Sequence, residues 1–184
     1  RLWYQPTNYG VGSYSAFSIC DDSFQLYGWG SGQNGQFGPS SAPALLPVQI
    51  QNMSNTKYFS AGYSIGSIKF DNTGWAWGGG LPTSTPVQIL SDVKFLDASS
   101  TNVSFIKNNG TVWTVGTNTN GQIGNGTTDP NSVSTPIQML NINNAVRVSS
   151  NGFATIVLLS DSTLMAVGKN SQGYLGLGGS ISST

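Results

Sequence analysis

Histidine and glutamate are absent from the 184 residues, cysteine occurs once, and charge is scarce: 7 Lys or Arg stand against 7 Asp, for a formal net charge of zero. Each shortage excludes something. Without His or Glu no hydrolytic triad can be assembled, and an acid–base mechanism would rest on Asp carboxylates that nothing marks as perturbed. Seven scattered cations do not make a phosphate-binding patch, which argues against nucleic acid as partner. The single Cys20 excludes an internal disulfide framework and a cysteine-based metal site. It ends the apolar run at 16–20, and a buried structural thiol is expected there. No stretch approaches the roughly 20 apolar residues that a spanning helix needs. There is no secretory signal and no initiator Met. Arg1 is therefore expected to follow a cleavage, or the chain to be one piece of a longer polypeptide. These readings give a chain that is not an enzyme and holds no cofactor or metal.

What the chain does have is glycine, 24 residues of it, set in a recurring phrase. Residues 110–124 read Gly-Thr-Val-Trp-Thr-Val-Gly-Thr-Asn-Thr-Asn-Gly-Gln-Ile-Gly, a short strand leaving a tight turn and running into a polar glycine loop. Altered copies stand at 26–38 and 164–176, and a copy at 74–80 keeps the strand but has lost the loop. Before each strand comes an alternating apolar run and a turn: Asp21-Asp22-Ser23, Asp71-Asn72-Thr73-Gly74, Asn108-Asn109-Gly110 and Ser160-Asp161-Ser162-Thr163. Asn-Gly between apolar runs signals a hairpin whose two central residues take positive φ. A second phrase, Pro followed by Val or Ile and then Gln, recurs at 47–49, 86–88 and 136–138. Proline belongs at the start or edge of a strand.

Four short strands in a unit of about 50 residues predict an all-β chain, a β-propeller built of blade-like repeats. The repeats are placed at 10–23 (half), 24–74, 75–110, 111–163 and 164–184 (half). That is about four blades' worth: three complete units flanked by two half units. An open arc of this kind would expose unpaired strand edges, which favours self-association. The expectation is a piece of a longer propeller, against a ring completed by another chain or a small ring closed by its own halves.

Trp29-Gly30, the loops ending at Gly38, Gly124 and Gly176, the Pro-Val-Gln pieces and Ser60-Ala61-Gly62 together resemble the regulator-of-chromosome-condensation repeat family. The resemblance covers about residues 10–180. It implies seven-bladed propellers, one four-stranded blade per repeat, and as the family's best-known role nucleotide exchange on a small GTPase with chromatin docking. A secreted β-lactamase inhibitor is similar in fold. The family's inner strand usually carries a histidine where this chain has Tyr63-Ser64, Thr101-Asn102 and Phe153-Ala154, so what those histidines do between blades is done here by other hydrogen bonds or not at all.

The candidate residues each have a structural reading beside the functional one. Gly-x-Gly loops without a following Lys-Ser/Thr and helix are not phosphate cradles. Their glycines are expected to supply positive φ, and their Gln amides to bridge to the neighbouring blade. Trp29, Trp75, Trp77 and Trp113 are expected in the blade core. Asp21, Asp22, Asp71 and Asp161 occupy equivalent turns and form a candidate rim for a cation or a sugar hydroxyl, although such residues more often simply make turns. Asn52, Asn102, Asn109 and Asn125 open Asn-x-Ser/Thr triplets, and Asn125 is the best-placed acceptor for a glycan. The function expected is a non-catalytic scaffold for a protein partner or further copies of itself. It is placed outside the cell or at its surface, in adhesion or assembly; the alternatives are a GTPase regulator or a protein inhibitor.

Overall fold

A computed structural model describes residues 8–12, 14–20, 22–40, 42–179 and 183. The described residues form fifteen strands and no helix. The first sheet contains β1 (Asn8–Gly12), β2 (Ser15–Cys20), β3 (Gln25–Gly30) and β4 (Ala44–Gln49). The second contains β5 (Thr56–Ala61), β6 (Ser64–Lys69), β7 (Gly74–Gly78) and β8 (Val87–Leu90). In the third are β9 (Val93–Ala98), β10 (Asn102–Lys107), β11 (Val112–Asn118) and β12 (Asp129–Gln138). The fourth has β13 (Ala145–Ser150), β14 (Ala154–Leu159) and β15 (Leu164–Gly168). Within each sheet the strands pair antiparallel in chain order, so each sheet is one propeller blade. Ser183 makes an isolated bridge to Gly168, on the edge where β4, β8 and β12 lie in the other blades. The proline-led strands are the outermost of their sheets, where a missing N–H costs least. Each blade takes two strands from the end of one sequence repeat and two from the start of the next.

The Asn109-Gly110 hairpin differs from the two-residue turn its sequence suggests. In the β10–β11 connection Gly110 has φ +80° but Asn109 does not enter the left-handed region. The Gly110 N–H donates to Lys107 O at 2.9 Å and the Lys107 N–H to Thr111 O at 3.0 Å. This is a three-residue turn with only its last residue left-handed. Asn72 (φ +61°) and Ser162 (φ +69°) take that role in the second and fourth blades. A glycine is compulsory elsewhere: Gly30, Gly78, Gly116 and Gly168 take equivalent positions in β3, β7, β11 and β15 with φ between +95° and +114°. A Cβ on Gly116 would also strike Thr101 O.

Blades pack face to face. Phe17, Ile19 and Leu26 of the first meet Phe59, Ile65 and Trp77 of the second. Ile68 and Ala76 of the second meet Leu96, Val103, Phe105 and Val115 of the third. Ile106 and Val112 of the third meet Ala145, Val148 and Val157 of the fourth. The fourth blade repeats the donor face without burying it. Leu26 and Val112 are fully buried, whereas Leu164 at the same register is 66% exposed. Phe105→Ala should therefore destabilise the chain by about 3–5 kcal/mol, and Leu164→Ala by no more than about 0.5 kcal/mol, in urea titrations. Equal costs would mean that the exposed face is covered in solution.

Candidate functional site

Every inner hairpin turn lies at one end of the blades, and the glycine loops lie at the other. At the turn end a three-residue relay repeats. The Asp71 carboxylate accepts the Thr73 N–H at 2.9 Å and its hydroxyl at 2.6 Å, and the Thr73 hydroxyl oxygen accepts the Trp75 indole N–H at 2.9 Å. Asn109, Thr111 and Trp113 make the same three bonds at 3.1, 2.7 and 3.0 Å. In the fourth blade Asp161 accepts the Thr163 N–H at 3.0 Å. The hydrogen bonds from Thr73 hold the Asp71 carboxyl below its usual range, and those from Thr163 do the same for Asp161. Asp22 is exposed in the first blade's turn, and Asp21 lies outside the described residues. The described rim acids Asp22, Asp71 and Asp161 thus stand singly on the first, second and fourth blades, with Asn109 in that place on the third, and among the described residues no three His, Cys, Asp or Glu side chains gather where a metal could sit.

Two expectations about burial change. Trp77 is fully buried, its indole donating to Gln36 O at 2.8 Å, but Trp29, Trp75 and Trp113 are only half-buried. Trp75 shares its face with Trp77 two residues on and packs against the same cluster, but it and Trp113 stand at the turn end of their strands, where each indole bonds the relay threonine. Cys20 is half-buried beside the Ser18 hydroxyl at 3.2 Å, because it closes its strand at the turn.

Of the glycan candidates, Asn102 is fully buried with its amide donating to Thr117 O at 2.7 Å, so the folded chain has no room for a glycan there. Asn109 is exposed, with its side-chain oxygen committed to the turn. Asn52 is exposed in a turn at φ +62°. Asn125 is half-buried, and its oxygen accepts from Asn118 Nδ2 at 3.1 Å.

At the loop end, polar side chains join the blades where the family has histidine. Gln122 Nε2 donates to Gly152 O at 2.9 Å, and the Thr155 hydroxyl donates to Gln122 O at 2.8 Å. The Thr101 hydroxyl reaches Gly152 O at 3.2 Å, and the Ser64 N–H reaches Ser99 O at 3.1 Å. Gln36 does not repeat the bridge of Gln122; its Nε2 is buried without a partner. Where the second blade has lost its loop, an uncharged cleft of about 350 Å³ opens between Asn34 and Pro39 on one side and Leu81 and Ser84 on the other.

The inner strands β5, β9 and β13 carry what the sequence did not single out. Their third residues form one ladder: the Tyr58 and Phe95 rings stack at 5.8 Å, and the Arg147 guanidinium lies 4.8 Å from the Phe95 centroid. Their fifth and sixth residues form a belt. Asp97 accepts the Ser60 hydroxyl at 3.1 Å and the Ser150 N–H at 2.9 Å, while Ser60 Oγ accepts the Ala98 N–H at 3.1 Å. One carboxylate thereby ties three blades. The only signal for it was positional, in the aligned strands Thr-Lys-Tyr-Phe-Ser-Ala, Val-Lys-Phe-Leu-Asp-Ala and Ala-Val-Arg-Val-Ser-Ser.

Burial raises the Asp97 carboxyl above its usual range, against the downward pull of the bonds from Ser150 and Ser60. The folded chain therefore holds this proton more tightly than the unfolded one. Its contribution to stability is greatest at acid pH and declines as pH rises from the ordinary carboxylate range through the folded value. Asp97→Asn should flatten that part of the curve of urea midpoint against pH. A variant curve parallel to the wild type would contradict it. Asp97→Ala leaves the Ser150 N–H without its acceptor and should cost about 1–3 kcal/mol.

This geometry can be set beside known proteins. Residues 109–158 match the regulator of chromosome condensation (RCC1) repeat. No curated protein sequence matches the chain. Among solved structures, human WBSCR16 is 18% identical with a TM-score of 0.78, over 97% of this chain and 51% of that one. Yeast RCC1 (Prp20), solved with Kap60 bound to it, is 16% identical with a TM-score of 0.80, over 98% and 47%. A second structure, of Prp20p from Saccharomyces cerevisiae, described with its binding to Gsp1p and histones, gives 16% and 0.74 over 89% and 43%. The ectodomain of the Physcomitrella patens receptor kinase CR4 is 12% identical with a TM-score of 0.57, over 94% and 44%. The chain spans about half the length of these proteins. With its four antiparallel sheets the chain has the β-propeller fold of these structures, and its residues 109–158 are similar to the regulator of chromosome condensation repeat.

Proposed function

We propose that this chain is a non-catalytic scaffold for protein–protein recognition. One observation carries the reading: the polar side chains that recur from blade to blade are spent on the fold itself. Asp71, Asn109 and Asp161 hold turns, Gln122 and Thr101 join blades, and Asp97 ties three inner strands. What varies between blades is the exposed surface of the turn end and the loops, which is where a partner can be read. The yeast relatives support this, since their structures concern binding to Kap60, Gsp1p and histones.

The exposed face of the fourth blade, with Leu164 and Ile156, supports further copies of the chain as one class of partner. An uncharged surface rich in Ser, Thr and Asn supports a place outside the cell or at its surface, in adhesion or assembly, and a receptor-kinase ectodomain carries the same fold. Regulation of a small GTPase is the second reading, favoured by the likeness to Prp20. Chemical cross-linking of the tagged chain in its host, followed by mass spectrometry, should recover one protein partner or the chain itself. A small GTPase incubated with the chain should release labelled GDP no faster than alone. Accelerated release would replace the scaffold reading with the second.

A further inference from the structure

Five cations, Lys57, Lys69, Lys94, Lys107 and Arg147, lie at the turn end of the blades, because each sits at the start of an inner strand or the end of the strand paired with it. Three of them take nearly the same place on consecutive blades. Lys57 and Lys94 are the second residues of β5 and β9, Arg147 is the third of β13, and all three are exposed. A register shift falls at this level in all three sheets, between Thr56 and Tyr58, between Val93 and Phe95 opposite Ile106 and Lys107, and between Ala145 and Arg147. Such a bulge re-aims side chains. Between the cations run the half-exposed rings of Tyr58 and Phe95.

We propose that the turn end of the inner strands β5, β9 and β13, a mouth lined by Lys57, Lys94 and Arg147, is a docking site for an acidic, extended segment of a protein partner. Its carboxylates would meet Lys57, Lys94 and Arg147, and its apolar side chains would lie on the Tyr58–Phe95 ladder. Charge complementarity selects the occupant. The cations occupy the inner strands, while Asp22, Asp71, Asp92 and Asp161 occupy turns at the same end of the blades. A long phosphate backbone crossing that end would pass these acids and be repelled. A short acidic segment entering the mouth meets the three cations alone. Asp97, deeper on the same wall, is already engaged by Ser60 and Ser150 and does not neutralise them.

The proposal rests on the scaffold reading and is tested separately from it. The probe is a fluorescein-labelled peptide of Glu pairs separated by Phe, titrated in fluorescence anisotropy at low salt. Its controls are the Gln counterpart and a single-stranded oligothymidylate of equal charge. Wild type should bind the Glu peptide, and added salt should weaken binding. The triple variant K57Q/K94Q/R147Q should bind about tenfold more weakly, the sum of three exposed ion pairs of ordinary worth. K69Q/K107Q should change affinity less than about twofold on the same grounds. All variants must melt with the wild type in circular dichroism, and Lys57→Glu with Lys94→Glu provides a second test if the triple variant does not. No binding by wild type, unchanged binding by the triple variant, or tighter binding of the oligothymidylate would each overturn the proposal. A cross-linked partner that survives the triple variant would overturn the mouth and leave the scaffold standing. Failure to recover any partner would remove both.

Discussion

A four-stranded sheet with apolar side chains on both faces cannot bury them by itself, and everything else in this chain follows from that constraint. Each blade is stable because its neighbour covers it: Phe105 and Val103 close one side of the third blade while Ile106 and Val112 close the other. Burial of this kind is non-directional, so it favours stacking without fixing how the blades align. The alignment comes from directional links at two levels, Gln122 to Gly152 at the loop end and Asp97 to Ser60 and Ser150 on the inner strands. A buried carboxylate is costly unless its lone pairs are satisfied. That cost is what makes Asp97 specify a single arrangement of three blades.

The same constraint separates structure from recognition. Apolar residues and recurrent amides are occupied between blades, so the surface left for partners is made of turn and inner-strand positions that the packing does not dictate. Lys57, Lys94 and Arg147 are such positions: they are exposed, and their only shared structural role is to stand beside a ladder of rings. With net charge zero, the chain has no overall field to attract a partner. Under the docking proposal, the cations on the inner strands would do that instead.

Much of this was legible in the order of residues. The Trp-Gly strand ends, the glycine loops and the proline-led edges gave the blades, because each reports a backbone demand that few residues meet, as the positive φ of Gly30, Gly78, Gly116 and Gly168 shows. What was not legible depends on the third dimension. Asn108-Asn109-Gly110 looked like a two-residue turn, but the Asn109 side chain stabilises a three-residue one by accepting from Thr111. Asn102 looked like any other Asn-x-Ser triplet until packing buried it. Asp97 and the cations at the turn end of the inner strands acquire meaning only when three strands, each separated by most of a repeat, are brought side by side. In a chain without histidine, the Thr101 hydroxyl, the Ser64 N–H and the Gln122 amide make hydrogen bonds between blades.

If neighbour burial is the source of stability, protection from amide hydrogen exchange must follow the number of covered faces. The measurement is native-state exchange read strand by strand by mass spectrometry. The account predicts the slowest exchange in β6 and β10, whose blades are covered on both sides, and faster exchange in β14 and β15, where Ile156 and Leu164 are exposed. Uniform protection across the four sheets would contradict it, because each blade would then hold together without its neighbour.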